Sequence, residues 1–285
     1  QRDSPATERW LQAELRLTDA YLGHSERREA FRRRLRELWE FSRTDVPWRE
    51  AGRLFYTENS GNQPQPVLYV LDSLGAAPRT VLDPQEISPD GSTAIGNYAV
   101  SPDGRWLAYT RARAGAISRE MRVRDLVTGR ERDDVVHGAW SACWTFDGGG
   151  FFYVRPAPTA EGQAAGIAKQ LRYHVLGEPE ERDRPIHEWP DARWLYCMLS
   201  DDGRRAFAVT EQGSTSQMYV VDLRDPRAPD LSAPLVPLLA AVDARYTPMG
   251  TVGGVLYVFT DLGAARGRVV ALDLGRRRRR RQAAT

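Results

Sequence analysis

The chain has 285 residues, of which 41% are hydrophobic and 27% are charged, so it can bury a large core while keeping many loops in water. It contains no run of about 18 apolar residues and no apolar leader at its N-terminus, which argues against a membrane span and a secretory signal. Two cysteines, Cys143 and Cys197, are too few for a disulfide framework or a cysteine-rich metal cluster. We therefore expect a cytoplasmic protein with no metal, no cofactor and no membrane partner.

The net charge of +2 is unevenly distributed. Six arginines form the run Arg276–Arg281, so the rest of the chain is mildly acidic, with a balance of −4. Such a run can bind phosphate backbones, and this hypothesis predicts salt-dependent binding that disappears when the run is deleted. We favour a different interpretation, in which residues 276–285 form a disordered basic tail of a truncated or frameshifted product, with no nucleic-acid partner.

Residues 1–45 are predicted to form a helical segment. One helix spans Glu8–Leu22 and ends at Gly23, and a second begins after Ser25. Four apolar residues of the second helix share one face: Phe31, Leu35, Leu38 and Trp39. The opposite face mixes arginines with glutamates, so we expect a packed helix with a solvated face rather than a helix that binds a membrane or nucleic acid.

From Arg53 onward the apolar period changes from that of a helix to that of a strand. A hairpin with a glycine turn then recurs in "SPDGRWLAYT", "TFDGGGFFYV", "SDDGRRAFAV" and "TVGGVLYVF", and a further strand follows each copy. The turn glycines lie 44, 55 and 50 residues apart: Gly104, Gly148, Gly203 and Gly253.

This spacing, with about four strands per unit, predicts an all-β fold, a β-propeller over residues 46–275. A β-sandwich also has many short strands, but it would not repeat this pattern in register. We expect the aromatic residues beside the turns to fill the spaces between blades: Trp106, Phe151, Phe152, Phe207 and Tyr257.

Several stretches resemble the propeller of the prolyl oligopeptidase (prolyl endopeptidase) family of serine peptidases. The succession of "LDP", "SPDG" and "YAVSPDG" is more specific than any single Asp-Gly turn, and the similarity runs from about Trp10 to Leu274. The resemblance implies a seven-bladed propeller, of which about five blades are present here, above a hydrolase domain with a Ser-Asp-His triad. It also implies that the propeller admits short peptides, which the hydrolase domain cleaves after proline.

The catalytic part of that family has no counterpart in this sequence. The nucleophile elbow G-x-S-x-G is absent, and no histidine matches the family's catalytic loop: His24, His137, His174 and His187. We therefore predict no catalytic residue in this chain. The resemblance implies one substrate contact, at Trp140, for which blade packing is the alternative role. The arginine that the family carries after "SDDG" is missing, and Glu211 lies near its expected place.

Two hypotheses follow from these observations. The leading one is the N-terminal, substrate-gating part of a prolyl-oligopeptidase-like serine endopeptidase, inactive without its hydrolase domain and acting on short proline-containing peptides. The alternative is a stand-alone propeller module that binds a peptide or protein partner. The first predicts an exposed helix stripe and open blade edges that promote aggregation, and the second predicts a monodisperse protein that unfolds cooperatively.

Overall fold

A computed structural model describes residues 4–23, 25–61, 63–113, 119–157 and 168–275. The predicted basic tail, residues 276–285, and His24 lie outside the described residues. Two helices come first, α1 (Pro5–Leu22) and α2 (Glu26–Trp39). Five antiparallel sheets follow, which we number blades 1 to 5 in chain order. The described part of the chain is therefore a five-bladed β-propeller preceded by a helical segment.

The strands are short and each sheet is built from consecutive strands. Blade 1 contains β1 (Arg43–Thr44), β2 (Trp48–Glu50), β3 (Arg53–Asn59), β4 (Val67–Leu71) and β5 (Arg79–Leu82), and a short helix α3 (Pro84–Ile87) follows it. Blade 2 contains β6 (Thr93–Val100), β7 (Trp106–Arg113), β8 (Glu120–Asp125) and β9 (Glu131–His137). Blade 3 contains β10 (Ser141–Trp144), β11 (Gly150–Pro156), β12 (Lys169–Val175) and β13 (Arg184–Trp189), with a 3₁₀ turn at Glu180–Arg182.

Blade 4 contains β14 (Trp194–Leu199), β15 (Arg205–Gln212), β16 (Thr215–Asp222) and β17 (Leu235–Leu239), and blade 5 contains β18 (Tyr246–Val252), β19 (Val255–Thr260) and β20 (Arg268–Asp273). Strands that are neighbours in the sequence are neighbours in every sheet, apart from the first position of blade 1. There β1 and β2 both pair with β3, at its two ends, and so share the place of one strand.

The turn "SPDG" of blade 2 is held by its own side chains. Ser101 Oγ accepts a hydrogen bond from the amide of Trp106 at 2.9 Å, and Asp103 Oδ1 accepts one from the amide of Arg105 at 3.0 Å. Gly104 has a positive φ of 71°, which glycine adopts without steric cost. The same bonds recur in blade 4, where the residues are Ser200, Asp202 and Gly203. The repeated tetrapeptide is thus a turn-forming signal, as predicted.

The turns also contact one another around one end of the propeller. A β-carbon at Gly104 would overlap the Arg53 guanidinium of blade 1, and one at Gly203 would overlap the ring of Phe146 in blade 3. Between blades 4 and 5, Thr251 Oγ1 donates a hydrogen bond to Asp201 Oδ1 at 2.7 Å. Small turn residues therefore allow consecutive blades to pack closely.

Four apolar clusters join consecutive blades, in the pairs 1–2, 2–3, 3–4 and 4–5. Four of the five aromatic residues predicted to fill these spaces are buried: Trp106, Phe151, Phe152 and Phe207. The prediction for Tyr257 is wrong, because this side chain is 39% exposed. It lies in the last described blade, on the face that points away from blade 4.

That outer face of blade 5 is apolar and open. Leu256 and Val258 of β19 are fully buried against blade 4, whereas Tyr257 and Phe259 alternate with them and are 39% and 38% exposed. The residues at the equivalent positions of blades 2, 3 and 4 are at most 2% exposed: Ala108, Thr110, Phe152, Val154, Phe207 and Val209. Within the described residues, the last blade thus has a core-like face without the neighbour that covers it in the other blades.

The helical segment is similarly uncovered. Ser4 caps α1, because its Oγ accepts a hydrogen bond from the amide of Thr7 at 3.2 Å. The helix therefore begins at Pro5, and the sequence prediction placed this start too late. Neither α1 nor α2 buries a residue. The expectation of a packed α2 is wrong, because its apolar stripe remains between 49% and 69% exposed: Phe31, Leu35, Leu38 and Trp39.

Among the residues that the structure describes, no helix, α1 and α2 included, combines the length and apolarity that a membrane span requires.

Candidate functional site

Two tryptophans meet where the first strands of blades 3 and 4 lie side by side. Trp140 immediately precedes β10, and Trp194 is the first residue of β14. Their rings make an edge-to-face contact, with 6.0 Å between the ring centres and an angle of 62° between the planes. Trp140 is half-buried, whereas 56% of Trp194 is exposed. The pair forms an aromatic surface of which a large part is open to a ligand.

Two cations approach the Trp140 ring. The Arg119 guanidinium carbon lies 5.9 Å from the ring centre and Lys169 Nζ lies 5.7 Å from it. Lys169 is only 2% exposed, and burial lowers the pKa of its ammonium group. Cations at this distance from an indole face are attracted to it. The site therefore combines an apolar surface with positive charge, which suits a ligand that has an apolar ring and a carboxylate or carbonyl group.

A carboxylate lies beside the aromatic pair. Glu211 on β15 is directly opposite Trp194 in the pairing of blade 4 and is half-buried. A carboxylate accepts hydrogen bonds, whereas the guanidinium expected here from the family resemblance donates them. This position therefore cannot supply a donor to a peptide carbonyl group.

The sequence analysis identified Trp140 but missed Trp194 and Lys169. A usable signal was present, because blades 3 and 4 carry the same spacing of tryptophan and cysteine, in "WSAC" and "WLYC". Superposing the two repeat units places Trp194 at the position of Trp140. Since neighbouring blades repeat one architecture, equivalent residues of two inner strands are expected to lie close together. Lys169 gave no such signal, because its approach to Trp140 depends on how the strands of blade 3 pair and not on a repeated spacing.

A buried polar network joins blades 2 and 3 away from this pair. His174 on β12 is fully buried, with Nδ1 2.7 Å from Asp183 Oδ1 and Nε2 3.2 Å from Asp134 Oδ1. Burial by itself lowers the pKa of His174, but hydrogen bonds to the two carboxylates outweigh it and raise the pKa to about 9. Burial raises the pKa of Asp134, and hydrogen bonds from His174, Gly177 and Arg132 reverse that effect and lower it to about 2.

This network is structural. Both ring nitrogens of His174 are occupied by carboxylates and the ring has no exposed surface, so it cannot take a proton from a substrate. Two other histidines are described. His137 contacts the Glu180 carboxylate, and His187 packs on the ring of Trp189. That the chain contains no catalytic residue and that Trp140 contacts substrate both stay predictions.

Comparison with known proteins agrees with this architecture. The family model described as the prolyl oligopeptidase N-terminal β-propeller domain matches residues 1–284. A prolyl endopeptidase of Elizabethkingia meningoseptica is 24% identical over 273 residues, which cover 93% of this chain and 37% of that protein. A prolyl oligopeptidase of Omphalotus olearius is 27% identical over 302 residues, which cover 95% of this chain and 40% of that protein.

A solved structure from a study of inter-domain dynamics in two prolyl endopeptidases superposes with a TM-score of 0.81 at 28% identity. The alignment covers 96% of this chain and 40% of that one. Together with the repeated blades, these matches define the chain as a β-propeller domain of the prolyl oligopeptidase N-terminal type. The chain belongs to the prolyl oligopeptidase family and spans about two fifths of the length of the relatives it matches.

Proposed function

We propose that this chain is the substrate-gating part of a prolyl-oligopeptidase-type serine endopeptidase and that it works with an α/β-hydrolase domain that carries the catalytic triad. The observation that carries the proposal is the extent of the match. Nearly the whole chain aligns with relatives of which it covers only 37% to 40%, and it aligns with their N-terminal propeller. Cleavage after proline then belongs to the complete enzyme, and the chain on its own is inactive.

We also propose that the five blades are part of a larger, seven-bladed ring. The outer face of blade 5 supports this, because Tyr257 and Phe259 are exposed at positions that are buried in blades 2, 3 and 4. A further blade packed on this face would remove both side chains from water, as each preceding blade does for its neighbour. A self-contained propeller module would have covered such a face, and this favours the fragment over the stand-alone binding module.

The exposed stripe of α2 supports the proposed contact with a hydrolase domain. Phe31 and Trp39 are 69% and 59% exposed, on a helix that buries nothing within the described residues. Contiguous apolar surface of this kind marks an interaction site in folded proteins. In this family the N-terminal helices pack on the hydrolase domain, which is the partner we propose here. We place the boundary between the helical segment and the propeller between Trp39 and Arg43, slightly before the predicted residues 45 and 46, because β1 already pairs within blade 1. We also place the protein in the cytoplasm.

For substrates we propose short proline-containing peptides, which reach the hydrolase domain past the Trp140–Trp194 pair. The exposed Trp194 ring offers a flat apolar surface that suits a pyrrolidine ring, and Arg119 and Lys169 add positive charge next to it. A short unfolded peptide presents such groups freely. A folded protein does not, because exposing them costs the free energy of unfolding.

The test is a binding titration with the 285-residue chain. A fluorescein-labelled decapeptide with a central proline is titrated with protein, and its anisotropy is measured for the native chain and for Trp140→Leu, Trp194→Leu and Trp39→Leu. Trp39 is the matched control, because it is an exposed tryptophan on α2, outside the site. We expect the first two substitutions to raise Kd by about tenfold or more and Trp39→Leu to leave it unchanged. Equal binding by all four proteins would exclude the pair as a substrate contact.

A further inference from the structure

Blades 3 and 4 place a cysteine at the same point of their first strands. Cys143 lies in β10, three residues after Trp140, and Cys197 lies in β14, three residues after Trp194. The contact between the two tryptophan rings fixes how the two strands lie against each other. Since each cysteine follows its tryptophan by the same number of residues, we expect the two thiols to lie at the same height along the two neighbouring strands.

The side-chain contacts agree with this expectation. The Cys197 thiol lies close enough to the Cys143 thiol to help raise the pKa of the latter. The Cys197 thiol also lies 3.8 Å from the carbonyl oxygen of Phe152, the residue that pairs with Cys143 across β10 and β11. Both cysteines are free and half-buried, and both pack against the apolar cluster between blades 3 and 4.

We propose that Cys143 and Cys197 are a redox-active pair that forms a reversible disulfide between blades 3 and 4, next to the Trp140–Trp194 surface. This inference does not depend on the proposed function, because it rests only on the two thiols and on the strands that carry them. The pair is the complete cysteine content of the chain, so an internal disulfide can have only this connectivity.

The reaction balances with a small disulfide, such as glutathione disulfide, as the oxidant. The Cys197 thiolate attacks one sulfur of glutathione disulfide, which forms a mixed disulfide and releases one glutathione thiolate. The Cys143 thiol loses its proton to solvent and attacks the Cys197 sulfur, which forms the protein disulfide and releases the second glutathione thiolate. Two protein thiols are thereby oxidised by two electrons, and one disulfide is reduced to two molecules of glutathione.

The surroundings of the pair determine how readily it reacts. Burial, together with the neighbouring Cys197 thiol, raises the pKa of the Cys143 thiol well above its usual value, so little thiolate is present at neutral pH. We therefore expect slow oxidation at pH 7 and faster oxidation as the pH rises. The disulfide joins two cysteines that lie 54 residues apart in the sequence. Because closing such a loop restricts the unfolded chain, we expect oxidation to raise the melting temperature.

The test uses the full chain, incubated with glutathione disulfide at pH 8.5 and then measured by intact-mass and peptide-mapping mass spectrometry. We expect the loss of two hydrogen atoms, one cross-linked peptide that contains Cys143 and Cys197, and a melting temperature higher by several degrees. Dithiothreitol should reverse all three changes. The matched controls, Cys143→Ser and Cys197→Ser, should each take up one glutathione and show no such increase, and circular dichroism verifies that both are folded.

Two outcomes would overturn the proposal. In one, the folded monomeric chain retains both thiols or carries a separate glutathione on each cysteine. In the other, the disulfide forms only between two chains, as a dimer on a non-reducing gel. A repeat in urea, at a fixed ratio of reduced to oxidised glutathione, separates chain proximity from native geometry, because a larger fraction of the folded chain than of the unfolded chain should carry the internal disulfide at equilibrium.

Discussion

His174 on blade 3 and Asp134 on blade 2 are joined across the blade boundary, with Nε2 of the histidine 3.2 Å from Oδ1 of the aspartate. Asp134 also accepts a hydrogen bond from Arg132 Nε at 2.7 Å, on its second carboxylate oxygen. The imidazole is held from its other side by Asp183. A buried, charged histidine between two carboxylates thus connects two sheets that also share an apolar cluster.

This network makes the stability of the propeller depend on pH. The pKa of His174 is about 9 in the folded chain, against 6.5 for an unperturbed histidine, so its contribution is complete below pH 6.5 and is lost as the pH rises to about 9. We expect the free energy of unfolding, measured with urea, to fall by an amount on the order of 2 kcal/mol between these values. His174→Gln should lose most of this dependence.

The control for that measurement is His187→Gln, because His187 is exposed and packs on the ring of Trp189. This variant should keep the alkaline loss of the native chain. An identical pH dependence in His174→Gln and the native chain would contradict the assignment.

On the acid side, the low pKa of Asp134, about 2, predicts a further decrease in the free energy of unfolding as the pH falls from about 4 to 2.

Two glycines separate the cost of a positive φ from the cost of a steric overlap. Gly203 and Gly213 have φ values of 67° and 62°, but a β-carbon would overlap the Phe146 ring only at Gly203, and it would meet nothing within 4 Å at Gly213. We expect Gly213→Ala to destabilise the chain by about 1 kcal/mol. Gly203→Ala should cost about 2–4 kcal/mol. Chemical denaturation measures both, and equal losses would show that the close packing of adjacent turns is unimportant.

The open face of blade 5 predicts a contrast between two equivalent aromatic residues. Phe207 is fully buried between blades 4 and 5, whereas Tyr257 occupies the same position of blade 5 and is 39% exposed. Phe207→Ala should cost about 3–5 kcal/mol, and Tyr257→Ala should cost less than about 1 kcal/mol. The second variant should also bind less of an apolar dye and associate less in sedimentation. A large loss of stability in Tyr257→Ala would show that this face is covered.

Local turn chemistry made much of the propeller predictable from sequence. The turn glycines Gly104, Gly148 and Gly203 all adopt the positive φ that the Asp-Gly pattern indicates, and the aromatic residues that follow them are buried in blades 2 to 4. The same reasoning failed at Tyr257, because a repeat pattern records what a blade requires of its neighbours and not whether a neighbour is present. It failed at α2 for a similar reason, since an apolar stripe predicts burial without identifying the covering surface.

The candidate site was less predictable than the fold. Trp140 was found through resemblance to a family, but its contact with Trp194 depends on how two sheets lie beside each other. The approach of Lys169 to the same ring depends on tertiary packing that no local pattern encodes. The buried network of His174 was also missed, because Asp134 and His174 lie 40 residues apart in different blades.

The proposal that this chain gates substrates and carries no catalytic residue is tested by the hydrolysis of a Gly-Pro reporter peptide. The purified 285-residue chain is assayed for release of the chromophore, with and without a serine-directed inhibitor. We predict a rate equal to that of buffer in both cases. Saturable turnover by the purified chain that the inhibitor abolishes would contradict it, because it would require a nucleophile and a base within these residues.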